Sequence, residues 1–159
     1  MAGKIDIGIA PVAKGATYPS PYDAPCEQRR RTRLGDAAGL VQFGVNLLRL
    51  PPGAWSSQRH WHTHEDEFVY VVEGEVVLVT DDSEEVLRVG DCAGFRAGDP
   101  NGHHFQNRSA ADAVLLEVGA RVPAADAVHY SDIDMRTTPG QPGYQRQDGT
   151  PYPAKPHAT

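Results

Sequence analysis

The run His60-Trp61-His62-Thr63-His64-Glu65-Asp66-Glu67-Phe68-Val69-Tyr70-Val71-Val72-Glu73-Gly74 decides how this chain is read. It sets imidazoles and carboxylates directly before an apolar, β-branched and aromatic segment, 68–72, of the composition strands favour. Successive side chains of a strand point to opposite faces, so His60, His62 and His64 share one face if the strand runs that far. Trp61 then faces the other way. Glu67 lies an odd number of residues from His60, and the polar segment 63–66 offers the turn that returns it to the histidine face. A second cluster follows at Gly98-Asp99-Pro100-Asn101-Gly102-His103-His104-Phe105-Gln106-Asn107. His103 and His104 are adjacent, so only one is expected to point inward. Imidazoles and a carboxylate at such spacing suit a divalent metal, the simplest source of chemistry in a chain of 159 residues.

Working outward, segment 42–50 alternates Phe43, Val45 and Leu47 against Gly44 and Asn46, the period of a half-buried strand. Pro51-Pro52-Gly53 closes it. Segments 76–79, 86–89, 92–96, 103–107 and 113–122 also read as strands. Turns fall at Glu73-Gly74-Glu75, Asp81-Asp82-Ser83 and Gly90-Asp91, and Gly98-Asp99 and Asn101-Gly102 read as tight-turn pairs needing positive φ. Short strands at regular spacing, with no sustained helical period, predict an all-β sandwich or closed barrel. Ten of the thirteen prolines lie outside residues 34–122. The expectation is one domain: an arm over 1–33 with an edge strand at 4–10, a barrel over 34–122, and an irregular Pro-rich flank over 123–159 packed on the barrel.

The net charge of -6 argues against duplex nucleic acid as a partner. Arg29-Arg30-Arg31 with Arg33 is the local exception, read either as a solvated loop or as a clamp for an anionic substrate or an acidic neighbouring subunit. Cys26 and Cys92 do not make a disulfide framework; Cys92 is expected buried in its strand and Cys26 free in a Pro-rich stretch. No apolar run is long enough to span a bilayer, and no secretion leader is visible, so a cytoplasmic, membrane-free protein is the default expectation.

Two motifs make the chain resemble the cupins. Gly53, His60-x-His62, Glu67 and Gly74 follow the first cupin motif; Gly90, Gly98, His103 and Asn107 follow the second. The departures are an extra residue after Gly53, Arg96 where the family has Pro, and two extra residues before His103. The resemblance spans roughly residues 42–120 and implies a double-stranded β-helix, or jelly-roll barrel, around an internal metal. By position the ligands are His60, His62, Glu67 and His103, a set that suits Fe, Mn, Ni, Co or Zn and leaves room for water or substrate. A register built on His62 and His64 leaves only two residues before Glu67, short of the family spacing. His64, His104 and Tyr70 then become candidates for moving protons. By alternation, Leu47, Val69, Val71 and Phe105 are the candidate apolar pocket wall. The expected activity is that of a metal-dependent enzyme on a small organic substrate, with an Fe(II) dioxygenase favoured. A metal-assisted sugar or hydroxy-acid isomerase or lyase, and a non-catalytic ligand-binding module, are the alternatives. Cupins often form dimers, so the resemblance also implies a homodimer.

Overall fold

The structure, a computed structural model, describes residues 3–154. Eleven strands form the fold: β1 (Val12–Lys14), β2 (Arg30–Arg33), β3 (Phe43–Leu50), β4 (His60–His62), β5 (Glu67–Glu73), β6 (Glu75–Val79), β7 (Glu84–Arg88), β8 (Cys92–Phe95), β9 (His104–Gln106), β10 (Ala113–Ala120) and β11 (Val128–Tyr130). One antiparallel sheet runs β1-β2-β3-β10-β5-β8. The facing layer combines β7-β6-β9 with β11-β4, joined by bridges between Trp55 and Gln106 and between His60 and His103. Two facing antiparallel sheets in this order make the double-stranded β-helix. The only α-helical segment among the described residues is a single turn, Leu34–Ala37. No described helix is long and apolar enough to cross a membrane.

The core follows from strand alternation. On β5, Val69 and Val71 are buried while Phe68, Tyr70 and Val72 face outward. On β3, Leu48 and Leu50 are buried, with Gly44 and Asn46 on the same inner face. Leu47 therefore lies on the outer face, which corrects its expected place in the pocket wall. The early alternation Phe43-Val45-Leu47 is apolar yet half-exposed, because the strand's other face closes on the larger cluster of Leu48, Leu50, Val71, Val76, Phe105 and Leu115.

The flanks join the sheets. The arm adds β2 against β3, and the C-terminal segment adds β11 against β4. Tyr18 and Cys26 from the arm pack with Tyr130 and Met135 from the C-terminal segment in a second buried cluster. The Tyr18 ring meets Tyr130 edge-on at 5.6 Å. The edge strand expected at 4–10 is instead a 3₁₀ turn, Ile7–Ile9, because the Asp6 carboxylate caps it by accepting the Gly8 N–H at 2.9 Å. The edge strand proper is β1. Cys26 is free, as expected, and fully buried in the tyrosine cluster, whereas Cys92, expected buried, is exposed on the outer face of edge strand β8.

Motif residues outside the histidines have structural roles. Gly74 turns β5 into β6 at φ +74°, and a Cβ there would stand 2.5 Å from the Asp112 carbonyl oxygen. Gly98 has the positive φ expected of it, whereas Asp99, Asn101 and Gly102 do not. Gly102 is small for another reason, since a Cβ would run into the Ser131 side chain. Asn107 is fully buried and clamps the next turn. Its Nδ2 donates to the carbonyls of Leu50 and Ala111, both at 2.7 Å, and its Oδ1 accepts from the Ser109 N–H at 3.0 Å. Removing the amide strands the buried Leu50 carbonyl and loosens the turn at Ser109 and Ala111, so Asn107→Ala is expected to lower unfolding stability by about 1–3 kcal/mol, measured by urea denaturation.

Candidate metal centre

β4 presents His60 and His62 on its inner face, and the chain then crosses from one sheet to the other. The crossing is held by Asp126, whose Oδ1 accepts the His64 N–H at 2.8 Å. It delivers Glu67 as the first residue of β5. His103 arrives beside them through a two-way backbone bridge: His60 N–H donates to the His103 carbonyl at 3.1 Å, and His103 N–H to the His60 carbonyl at 2.8 Å. Phe95 lies flat on the His103 ring, with centroids 3.4 Å apart and planes within 2°.

The side chains converge on one oxygen. Glu67 Oε2 is 3.6 Å from His60 Nε2, 3.6 Å from His62 Nε2 and 3.0 Å from His103 Nε2. That oxygen is buried, and none of these contacts is aligned as a hydrogen bond. The donor atoms of His60, His62 and Glu67 all fall within 4.8 Å of one another. The other ring nitrogens fix the tautomers. His60 Nδ1 is 2.9 Å from the Gln58 carbonyl, which can only accept, so Nδ1 carries the hydrogen and Nε2 offers its lone pair. His62 Nδ1 is likewise 2.7 Å from Asp126 Oδ2. This is how metal-binding histidines are oriented, with the far nitrogen donating to a carbonyl or carboxylate.

The donor set fits a divalent transition metal. Bonds of about 2.1 Å at octahedral to tetrahedral angles put neighbouring donors roughly 3.0–3.4 Å apart, close to the separations around Glu67. A cation would also satisfy the orphaned Glu67 oxygen, which is otherwise costly to bury. Burial pushes the His60 imidazole down to about 3 despite the Glu67 charge, which keeps it neutral. Burial alone would raise the Glu67 carboxyl, but the His103 contact and the electrostatic pull of the surrounding imidazoles outweigh it and hold the group well below the ordinary carboxylate range.

The three expected proton carriers lie elsewhere. β4 ends at His62, so His64 is exposed and its Nδ1 contacts its neighbour Thr63 Oγ1 at 2.9 Å. His104 is buried on the opposite side of β9 from His103. Its Nδ1 donates to the Ser57 carbonyl at 3.0 Å, its Nε2 accepts from Gln106 at 3.0 Å, and Trp55 packs edge-on against it. Tyr70 is on the outer face of β5. None of the three is brought to the Glu67 cluster. Val69 and Phe105 do line a cavity at the cluster, whereas Val71 is in the core.

Two cavities meet at the cluster and share His62, Glu65, Glu67 and His103. The larger, about 820 Å³, opens between β6, β7 and β8 and carries Glu85, Asp91 and Asp99 against Arg96. The smaller, about 390 Å³, is walled by the arm through Tyr18, Arg29 and Arg31 and by Glu117 of β10. Arg31 is paired with Glu117 through Nε and Nη2 at 2.7 and 2.9 Å. Glu65 spends Oε1 on the Val122 N–H at 2.6 Å. Glu65, Asp126 and Glu117 were missed as site residues. Asp126 carries no local signal, because only folding brings the C-terminal segment back to His62. The arginines had one, the alternation of Arg29 and Arg31 toward the interior with Arg30 outward.

Residues 46–119 match the cupin domain family. A sugar phosphate isomerase of the cupin superfamily from Silicibacter pomeroyi DSS-3 is 48% identical over 96% of this chain and 98% of that one, with a TM-score of 0.88. The chain belongs to the cupin superfamily. A protein of Acidithiobacillus ferrooxidans, itself only proposed to be a sugar phosphate isomerase, is 28% identical over 80% of this chain and 82% of that one, with a TM-score of 0.70. The polyketide cyclase RemF of Streptomyces resistomycificus shares the fold at 19% identity and a TM-score of 0.59, over 76% of this chain and 80% of its own. Comparison with curated protein sequences finds no match.

In ¹⁵N spectra of the metal-free protein, His60 and His62 are expected as Nδ1–H tautomers. His60, held neutral, should not titrate between pH 8 and 5. Asp126→Ala should cost His62, but not His60, its single tautomer.

Proposed function

We propose that this chain is a metal-dependent aldose–ketose isomerase acting on a sugar phosphate. The observation that carries the reading is the convergence of three imidazoles on the buried Glu67 oxygen, at the meeting of two solvent cavities, one of which has an arginine wall. The likeness to a sugar phosphate isomerase over 96% of the chain supports the substrate class. It favours isomerisation over the dioxygenase reading, because the neighbour's named chemistry is isomerisation and it shares nearly the whole chain, arm and flank included.

In this reading His60, His62, Glu67 and His103 hold one divalent ion. When bound, that ion supplies Lewis acidity at the substrate carbonyl oxygen. Isomerisation moves one proton between adjacent carbons and another between their oxygens. Glu65 is the carboxylate placed to carry the carbon-bound proton. Glu67 is taken up by the imidazoles and Glu117 by Arg31, while Glu65 Oε2 makes no hydrogen bond among the described residues. Burial holds the Tyr18 phenol far above its ordinary range, so it stays an O–H donor to a substrate hydroxyl. Val69 and Phe105 limit water on the cavity floor.

Protein purified without chelator is expected to contain one divalent metal per chain by elemental analysis. His60→Ala and His103→Ala should lose it, while His64→Ala keeps it. Metal-loaded protein in D₂O should introduce deuterium into a member of a sugar phosphate panel while interconverting aldose and ketose, followed by NMR. Glu65→Gln should lower kcat by about 10²- to 10⁴-fold with metal content unchanged. Absence of exchange across the panel with every metal tried would overturn the isomerase reading.

A further inference from the structure

The arm buries a cation with which no carboxylate of the described residues pairs. β2 is antiparallel to β3 with Arg31 opposite the inward Leu48 and Arg30 opposite the outward Arg49, so Arg31, and Arg29 two residues before it, turn to the interior. Arg29, just before β2, is 8% exposed. Its Nε donates to the Gly15 carbonyl at 3.0 Å and its Nη1 to the Ser56 carbonyl. Its Nη2 makes no hydrogen bond, and Arg29 makes no ion pair, among the described residues. The nearby Arg31 differs, because Glu117 neutralises it through two hydrogen bonds. A buried guanidinium held only by backbone carbonyls is a costly arrangement unless an anion completes it.

Arg29 lines the smaller cavity, the one that also reaches His60, His62, Glu67 and His103. The same end carries hydroxyls: Thr17 and Tyr144 share a hydrogen bond of 2.8 Å, and Ser56 and Ser57 stand 3.3 Å apart. The larger cavity has the wrong sign, since its side walls set Glu85, Asp91 and Asp99 against Arg96 alone. An anionic group is therefore drawn to one side of the cluster only. A phosphate monoester matches this end in charge and in acceptor count, and a guanidinium with a spare nitrogen is suited to it.

We propose that Arg29 anchors the phosphate of a phosphate-monoester substrate at the arm end of the smaller cavity, so that the sugar's reactive carbons extend from there toward Glu67. The anchor rests on the isomerase reading only for the identity of the molecule that carries the phosphate. Arg29 is a binding residue in this scheme, and the arm, not the barrel, selects the phosphorylated substrate.

The test uses the full-length protein as purified. Saturable binding of inorganic phosphate is measured by ³¹P line broadening and calorimetry at constant ionic strength, for the wild type, Arg29→Met, Arg29→Lys and Thr17→Glu. The wild type should bind phosphate, and Arg29→Met should weaken it at least tenfold. Arg29→Lys should fall between them, since it keeps the charge and loses the fork. Arg29 also ties two backbone carbonyls, so Arg29→Met is open to misfolding. Thr17→Glu covers that case: Thr17 is exposed at the cavity rim, and a carboxylate there should weaken phosphate binding in a folded protein. Equal affinity in folded Arg29→Met and the wild type, equal affinity in Thr17→Glu and the wild type, or no saturable phosphate binding in the wild type, would each overturn the anchor. Arg29-dependent phosphate binding without any isomerisation keeps the anchor and removes the isomerase reading. Isomerisation whose KM is unchanged in Arg29→Met keeps the isomerase reading and removes the anchor.

Discussion

Two backbone hydrogen bonds between His60 and His103 carry the architecture of the site. They continue the pairing begun by the Trp55–Gln106 bridge and the Ser56 N–H to Phe105 carbonyl bond, and they place side chains 43 positions apart in sequence on one patch of the inner wall. With the bridge in place, His60 and His62 follow from strand alternation and Glu67 from the crossing turn. Electrostatics then completes what the backbone begins. A neutral His60, a charged Glu67 and two rings fixed by outer partners leave one oxygen facing three nitrogens.

Much of this was legible in the amino-acid sequence because β-structure writes itself locally. Val69 and Val71 against Phe68 and Tyr70 reveal a strand with one buried face, and Gly74 marks where it must reverse. The strands read for β3, β5, β6, β7, β8, β9 and β10 lie within a few residues of those in the fold. The face of β3 was misread for a physical reason. Its apolar start lies on the half-exposed side, and the decisive residues, Leu48 and Leu50, come at its end. His64 was drawn toward the cluster by extending the alternation past the end of β4. Tyr70 was placed by residue type, not by face.

What could not be read was whatever depends on distant chain segments meeting. Asp126 orients His62 from a stretch of the chain that looks like loop. Glu117 meets Arg31 across a sheet. The arm reads as a Pro-rich segment with one edge strand, yet it also supplies half of the tyrosine cluster and one wall of the smaller cavity. A residue's contribution there is set by tertiary neighbours, and composition alone is silent on them.

The separation of the arm from the barrel has an evolutionary corollary. The imidazoles and Glu67 belong to the barrel, while the buried Arg29 guanidinium lies on the arm just before β2. With Arg29 as the proposed anchor, exchange of the arm between related proteins would change which molecules are admitted and leave the reactive machinery as it stands. Divergence in such a lineage is then expected to concentrate in its first thirty or so residues, with the barrel conserved as a shared engine.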